Sequence, residues 1–411
     1  MSKQKMVHII GGGVSGLTCA WYLHQAGVPF TLYEADDRVG GRVQTDHVDG
    51  FLLDRGFQVL LSEYPEIKPL FSKKSLGLRA FRSGAEIQTE KSILRLDNPF
   101  QHPTRIFSML FSPIGSFLDK IRLYQLIRKT STFREEDLLT QPGISTLEFL
   151  EKRGFSSKIV QNFFKPFFGG VFLEFDLQTS SRFFQFVFQK FFSGQAVLPK
   201  DGIMGIPTGI AELLPSDSIR LNTRVRSIDN HVITLETGEQ IEATWLVLAT
   251  DARQADTWLQ ENPKRSYLGT TCTYFAASSI PGTHDPILRL VAEPDGLIRH
   301  WTVPSLVQPS YAPAGQHLIS ITSLPAEPEQ IRDEMRGLVG DEVDQWTFLR
   351  SYHIPQALSF MGPGSSAENS EVRPGLFKCG DYLLYPSLNA AMKSGRLVAQ
   401  KILDELAQSK S

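Results

Sequence analysis

Cysteine is scarce in this chain, with only Cys19, Cys272 and Cys379 among 411 residues. Their odd number and wide spacing exclude a disulfide framework and a cysteine-based metal cluster, and suit a reducing cytosol. Charge of one sign is equally lacking, since 42 basic and 44 acidic side chains leave a formal net charge of −2. With no arginine-rich run either, a nucleic-acid partner is not expected. No apolar run reaches the roughly 18–20 residues of a membrane-spanning helix, and Met1 to Lys5 lead straight into an apolar strand with no secretory signal. A cytoplasmic protein, at most peripheral to a membrane, is therefore expected. Repeats and low-complexity tracts are missing too, and only Gln408 to Ser411 reads as a loose tail.

What is present is length and placed glycine. A chain of 411 residues with 41% apolar side chains suits two or three domains. Val7 to Ile10 are apolar enough for a buried parallel strand, and Leu17, Ala20, Trp21 and Leu23 recur at helical spacing. Between them Gly11, Gly13 and Gly16 form the glycine fingerprint of a dinucleotide-binding turn. Gly11 permits the turn, Gly13 lets backbone approach a pyrophosphate, and Gly16 lets the helix pack on the strand. The helix N-terminus then offers amides and its dipole to the phosphates. Phe30 to Tyr33 reads as a second strand ending at Glu34, placed to accept from a ribose 2′-OH and to disfavour a 2′-phosphate, which argues against NADP.

The residues that follow discriminate FAD from NAD. Glu34, Arg38, Gly40, Gly41, Arg42 and Thr45 resemble the Glu-x3-Arg-x-Gly-Gly-Arg-x2-Ser/Thr pattern of the flavin-containing amine oxidoreductases, in particular the branch of phytoene desaturases and protoporphyrinogen oxidases. The resemblance implies that Gly40, Gly41 and Arg42 lie beside the flavin diphosphate. It extends to two further segments. Val225 to Ile228 and His231 to Leu235 read as a hairpin around Asp229-Asn230, and Trp245 to Thr250 as a buried strand. By resemblance Val225 meets the adenine and Ala249 ends its strand at the cofactor. Gly375 to Asp381 reads as a strand and Gly-Asp turn, followed by a helix that Ser387 caps and that carries a small-residue stripe at Ala391, Gly395 and Ala399. There the resemblance implies that Asp381 bonds ribityl or diphosphate oxygens, and that amides near Leu388 and Asn389 face the flavin ring. The full set expected at the cofactor adds Val14, Ser15, Ala35, Gly56, Phe57, Gly380 and Ala391.

Three separated pieces of one site require a discontinuous domain. The expected architecture is α/β, with a Rossmann-like FAD-binding domain (residues 1–70, 195–255 and 372–411) and an inserted α+β substrate domain (71–194 and 256–371). The insertion should hold an antiparallel sheet, with strands near Leu288–Val291, Leu297–Val303 and His317–Thr322, and a helical cap. Helical segments are expected over Ile106–Lys129 and Thr146–Phe168, separated by Gln141-Pro142-Gly143. Gly202 to Pro207 resembles the loop and helix start that follow the cap in desaturase-like members.

Thirteen of the 28 phenylalanines fall between residues 155 and 192. Over Arg182–Phe192 they leave one narrow polar stripe of Arg182, Gln185 and Gln189, which fits a packed helix, a wall for an elongated apolar substrate, or a membrane contact. No catalytic acid or base is singled out, because a flavin itself accepts the electrons and protein supplies orientation and a dry cavity. Arg299, His300, Trp301, Tyr352 and His353 are positions from which a side chain could reach that cavity. Cys379 stands elsewhere than the flavin-linked cysteine of monoamine oxidases, so FAD is expected to be non-covalent. The resemblance implies an FAD-dependent oxidoreductase that takes a hydride and a proton from a hydrophobic substrate at a CH–CH bond, reoxidised by dioxygen or a quinone. Amine oxidation, a non-redox flavin isomerase and an FAD-holding binding protein are the alternatives.

Overall fold

The computed structural model describes residues 6–408 apart from 72–74, 90–91, 98–113, 133, 137–142, 263–264 and 294. Four short apolar strands form the heart of a six-stranded sheet. Val7–Ile10 lies in the middle, paired in parallel with Phe30–Tyr33 on one side and Trp245–Leu248 on the other. Leu376–Lys378 extends the parallel run, Ile219–Arg220 closes one edge and the antiparallel Glu371–Arg373 the other. Burial on both faces explains the composition: Val7, Ile9, Leu246, Val247 and Phe377 are all fully inaccessible. Since the chain leaves Val7–Ile10 toward one neighbour and returns much later on the opposite side, a crevice opens at the carboxyl ends of these strands.

Two helices pack together over one face of this sheet. Val14–Gln25 follows the glycine turn, and the C-terminal helix Leu388–Gln408 lies against it. Their approach is set by Gly395, where a Cβ would stand 2.3 Å from the Ser15 carbonyl oxygen. The Ala391–Gly395–Ala399 stripe therefore acts as expected. The hairpin Val225–Asp229 and Val232–Leu235 forms as well, extended by Gln240–Glu242 into a three-stranded antiparallel meander.

A second, seven-stranded sheet is ordered Thr347–Ser359, Tyr267–Ala277, His317–Ser323, Ile298–Thr302, Leu288–Val291, Gly84–Thr89 and Ser92–Asp97. The expected strands are present, but the sheet is mixed, because Gly84–Thr89 joins Leu288–Val291 in parallel. Helix Pro328–Val339 covers part of it through Ile331 and Met335.

The expected helical cap is present in pieces. Phe117–Ser131 is helical with a Ser116–Asp119 capping box, whereas residues 106–113 and Gln141-Pro142 lie outside the described residues. The continuous helix expected over Thr146–Phe168 is a correction. It stops at Lys152, reverses at Gly154 (φ +80°), restarts at the Ser156 cap and passes through a π turn over Val160–Phe164 into Lys165–Phe172. Ser181–Ser193 is one helix, and Phe184, Phe186 and Phe188 on it are fully buried with Phe164 and Phe168. These rings pack with centroids 4.7 Å apart for Phe168–Phe184 and 4.8 Å for Phe186–Tyr385, so the aromatic block joins the core beneath the C-terminal helix.

Candidate active site

The glycine turn is built for close approach. Gly11 has φ +112°, and a Cβ there would meet the Ala249 carbonyl oxygen at 2.6 Å. A Cβ on Gly16 would stand 2.1 Å from the Gly11 oxygen, so this glycine serves helix–turn packing and does not line the cavity. Gly13 is the opposite case. It is the N-cap of the helix, no side chain caps that helix, and nothing lies within 4 Å of the space a Cβ would take. The first-turn amides thus face an open cavity bordered by Gly13, Val14 and Ser15. Glu34 borders the same space, its Oε2 accepting from the Gly12 amide (2.6 Å) and its Oε1 from the Asp36 amide (2.9 Å).

The three sequence segments meet here. Gly40, Gly41, Arg42, Gly56, Phe57 and Ala35 line the cavity from the first; Val225 and Ala249 from the second; Gly380, Asp381, Ser387, Leu388 and Ala391 from the third. An ion pair joins the ends of the chain, Arg42 Nη2 to Asp381 Oδ1 at 2.5 Å, and Arg42 Nη1 also donates to the Ala357 carbonyl. Ser387 Oγ accepts from the Ala390 amide at 3.0 Å, the expected cap. Two expected residues point elsewhere. Arg38 binds Asp46 (2.7 Å) and the Thr45 carbonyl, and Asn389 is fully buried, donating to the Tyr385 hydroxyl at 2.8 Å and accepting from the Glu66 amide. Neither side chain lines the cavity. Cys379 does, but burial pushes its thiol up to about 12, so it is no ready nucleophile.

A carboxylate that sequence reasoning missed supports this region. Asp54 is 4% exposed and accepts from Thr45 Oγ1 (2.6 Å), the Ile203 amide (3.0 Å) and the Tyr311 hydroxyl (2.8 Å). Burial pushes it up to about 6 against those hydrogen bonds. It ties the Thr45 of the motif to the Gly202–Pro207 loop and to the turn Pro309–Tyr311, while its backbone carbonyl accepts from the Tyr274 hydroxyl of the large sheet at 2.8 Å. Nothing in its neighbours Leu53 and Arg55 signals that role.

From the cofactor segments the cavity continues without interruption toward the aromatic block, enclosing 780 Å³ in all. Phe163, Phe167, Phe183, Val187, Phe191 and Phe192 wall the far part, with Leu288 and Leu290 from the large sheet. Packed helix and cavity wall are therefore two faces of one element. Polar side chains reaching the cavity include Lys120, Arg82, His300 and Thr322. Of the other positions considered, Trp301 donates to Gln88 Oε1, Arg299 stacks on Phe175, Tyr352 donates to Asp46 and His353 bonds Thr271.

The sequence model for flavin containing amine oxidoreductases matches residues 14–403. The chain belongs to the flavin-containing amine oxidoreductases. Its cofactor is accordingly FAD. Protoporphyrinogen oxidase 2 of Arabidopsis thaliana is 31% identical over 168 residues, 40% of this chain and 32% of that protein. Coproporphyrinogen III oxidase of Bacillus subtilis is 28% identical over 183 residues, 41% of this chain and 37% of that one. The chain thus spans about a third of the length of the curated relatives it matches. Across the whole fold, a putrescine oxidase redesigned for cofactor binding superposes with a TM-score of 0.73 at 16% identity, covering 98% of this chain and 99% of the other. At that identity the likeness is one of fold.

The residues fit the flavin dinucleotide. An uncapped helix N-terminus, a glycine whose missing Cβ leaves open space, and an acidic side chain at the end of the second strand border one cavity of the size that small-molecule sites occupy, about 300–1,000 Å³.

Proposed function

We propose that this enzyme oxidises a largely apolar substrate by two electrons at a carbon–hydrogen bond, of the CH–CH type, with a porphyrinogen as the first candidate class. The observation that carries the proposal is the single cavity running from the uncapped helix at Gly13 to the phenylalanine wall at Phe183 and Phe192. The names of the relatives, protoporphyrinogen and coproporphyrinogen III oxidases, supply the candidate class.

In this proposal the amides of Val14 and Ser15 hold the diphosphate, Glu34 the ribose, Arg42 and Asp381 the diphosphate and ribityl region, and the amide of Leu388 the flavin ring edge. FAD, held without a covalent bond, supplies a two-electron acceptor. The chain's own part is to orient the substrate, exclude water by the aromatic wall and place a helix N-terminus where negative charge develops. Dioxygen or a quinone is the proposed final acceptor. Residues 1–70, 195–255 and 372–411 form the FAD-binding domain and 71–194 with 256–371 the substrate domain. In support, the six-stranded sheet draws on the former except at its edge strand Glu371–Arg373, which straddles 372, and the seven-stranded sheet draws on the latter.

Anaerobic mixing of the FAD-loaded enzyme with coproporphyrinogen III, protoporphyrinogen IX, a polyene and an amine tests this. Loss of the flavin's visible absorption with a porphyrinogen is expected. Bleaching by the amine alone would replace the proposal with amine oxidation, product without net bleaching would indicate isomerisation, and no response to any would leave a binding protein.

A further inference from the structure

The cavity has one border that the glycine turn and its motif do not supply. Next to Glu34 it is lined by Val225 of the hairpin and by Gln254 and Trp258, one turn apart on the helix Ala252–Leu259. Backbone bonds hold these pieces together. The Thr223 amide donates to the Glu34 carbonyl at 2.8 Å and the Asn222 amide to the Asp36 carbonyl at 2.9 Å, so the entry to the hairpin runs along the end of the second strand. On the other side of the helix Ala252 and Asp256 are buried, and Ala255 joins Val225 and Ile233 in one apolar cluster. That burial leaves Gln254 and Trp258 facing the cavity.

Both side chains are half-buried, and each offers a different contact. The Gln254 carboxamide makes no hydrogen bond among the described residues; only the backbone amide of that residue is engaged, by the Asp251 cap at 3.1 Å. The Trp258 indole is anchored, its N–H reaching the Arg226 carbonyl at 3.4 Å and its ring packing on the Val225 cluster. A carboxamide presents donor and acceptor side by side, which matches the 6-amino group of adenine and the ring nitrogen beside it, and an aromatic ring gives a base a face to pack on. We infer that Gln254 and Trp258 form an adenine subsite, in which the carboxamide bonds the 6-amino edge of the base and the indole packs against its ring. Neither side chain is charged, as suits a neutral base. Glu34 bonds the Gly12 amide through its carboxylate and the Thr223 amide through its carbonyl, and so joins this subsite to the uncapped helix in the order of base, ribose and diphosphate. The inference rests on FAD as the cofactor and extends the proposed contacts past the ribose. With the AMP half recognised in this way, the site selects FAD over FMN and takes ADP on its own.

The test uses the full-length apoprotein and two matched ligand pairs. FAD and FMN share the flavin and differ by the AMP half; ADP and purine riboside 5′-diphosphate share the phosphates and differ only by the 6-amino group. Flavin fluorescence reads the first pair, and competition with FAD reads the second. Wild type is expected to bind FAD at least about tenfold more tightly than FMN, and to favour ADP over its deamino analogue by about tenfold. In Gln254→Leu the second preference should fall to about twofold or less, with FMN binding unchanged. Trp258→Leu should weaken FAD by about tenfold without weakening FMN, and Trp258→Phe should restore part of that loss. A variant that has lost its fold weakens both flavins alike and melts early, and Gln254→Leu, the smaller change, then carries the comparison. The ADP pair needs no FMN binding and decides alone where FMN is too weak to titrate. ADP should also alter the tryptophan emission of wild type and leave that of Trp258→Phe, which keeps four of the five tryptophans, unaltered. A wild type that binds FAD but shows no competition by ADP or no preference for it, or variants that discriminate as wild type does, overturns the subsite and leaves the cofactor in place.

Discussion

Gly13 and Gly16 sit three residues apart and are constrained by different things. A methyl on Gly13 enters open cavity, so Gly13→Ala should leave the apoprotein's stability within about 0.5 kcal/mol and weaken FAD binding at least tenfold. A methyl on Gly16 meets the Gly11 carbonyl, and Gly16→Ala should destabilise the apoprotein by about 1–3 kcal/mol or more. Fluorescence titration with FAD and apoprotein melting separate the two. If both substitutions behaved alike, the distinction between a ligand-facing and a packing glycine would be lost. Asp54 gives a prediction in pH. Its folded-state value near 6 lies above the ordinary value of about 4, so protonation favours the folded state. Its contribution is fully present below pH 4 and is lost as pH rises through 6. The loss is about 3 kcal/mol for two units at 1.36 kcal/mol each. Denaturant melts between pH 4 and 7 should show that decline in the wild type and a flatter profile in Asp54→Asn; parallel profiles would count against the buried carboxyl as its source. Residues acting through backbone shape, such as Gly11 and Gly13, were legible because their spacing is local. The partners of Arg38 and Asn389 were not, since a motif specifies a residue type while the direction of its side chain depends on distant groups, here Asp46 and Tyr385.

Elements carry their own signals and their own errors. The strand at Trp245–Leu248 and the cap at Ser387 were readable from apolar runs and an N-cap residue. The break inside Thr146–Phe168 was also written in the chain, as Gly154 with its left-handed φ and Ser156 capping the next turn, but the density of apolar side chains masked it. Parallel pairing of Gly84–Thr89 with Leu288–Val291 had no local signature, because register across two hundred residues is fixed by packing. For the C-terminal helix, Ser387→Ala removes one cap and should cost about 1 kcal/mol. Gly395→Val drives a branched side chain into Ser15 and the Cys19 amide, and should cost more than the cap and release FAD as well. Chemical denaturation with FAD occupancy measured in parallel would check the order, and a Gly395→Val protein as stable and as yellow as wild type would refute the close approach.

For the molecule as a whole, a site made by three distant segments makes cofactor and fold mutually dependent. FAD at a hundred times its dissociation constant should raise the unfolding free energy by about 2.7 kcal/mol, provided it binds only the folded chain. Calorimetry of apo and loaded protein tests this, and a melting temperature insensitive to FAD concentration would contradict it. Among the described residues no helix is long and apolar enough to cross a membrane, and no group of three or more His, Cys, Asp or Glu is arranged to hold a metal ion.

The contact between Ser15 and Gly395 has a consequence during synthesis. The turn before Val14–Gln25 leaves the ribosome long before the helix Leu388–Gln408 that packs against it. Until Asp381 is made Arg42 lacks that partner, and the cleft between the two segments is half-built. Closing so long a loop carries an entropic cost that grows with the logarithm of its span, and contacts this distant in sequence form slowly. Flavin capture is thereby expected to wait until the segment from residue 376 onward has been made, and a chain cut short before it is expected to be colourless however well its first strands had formed.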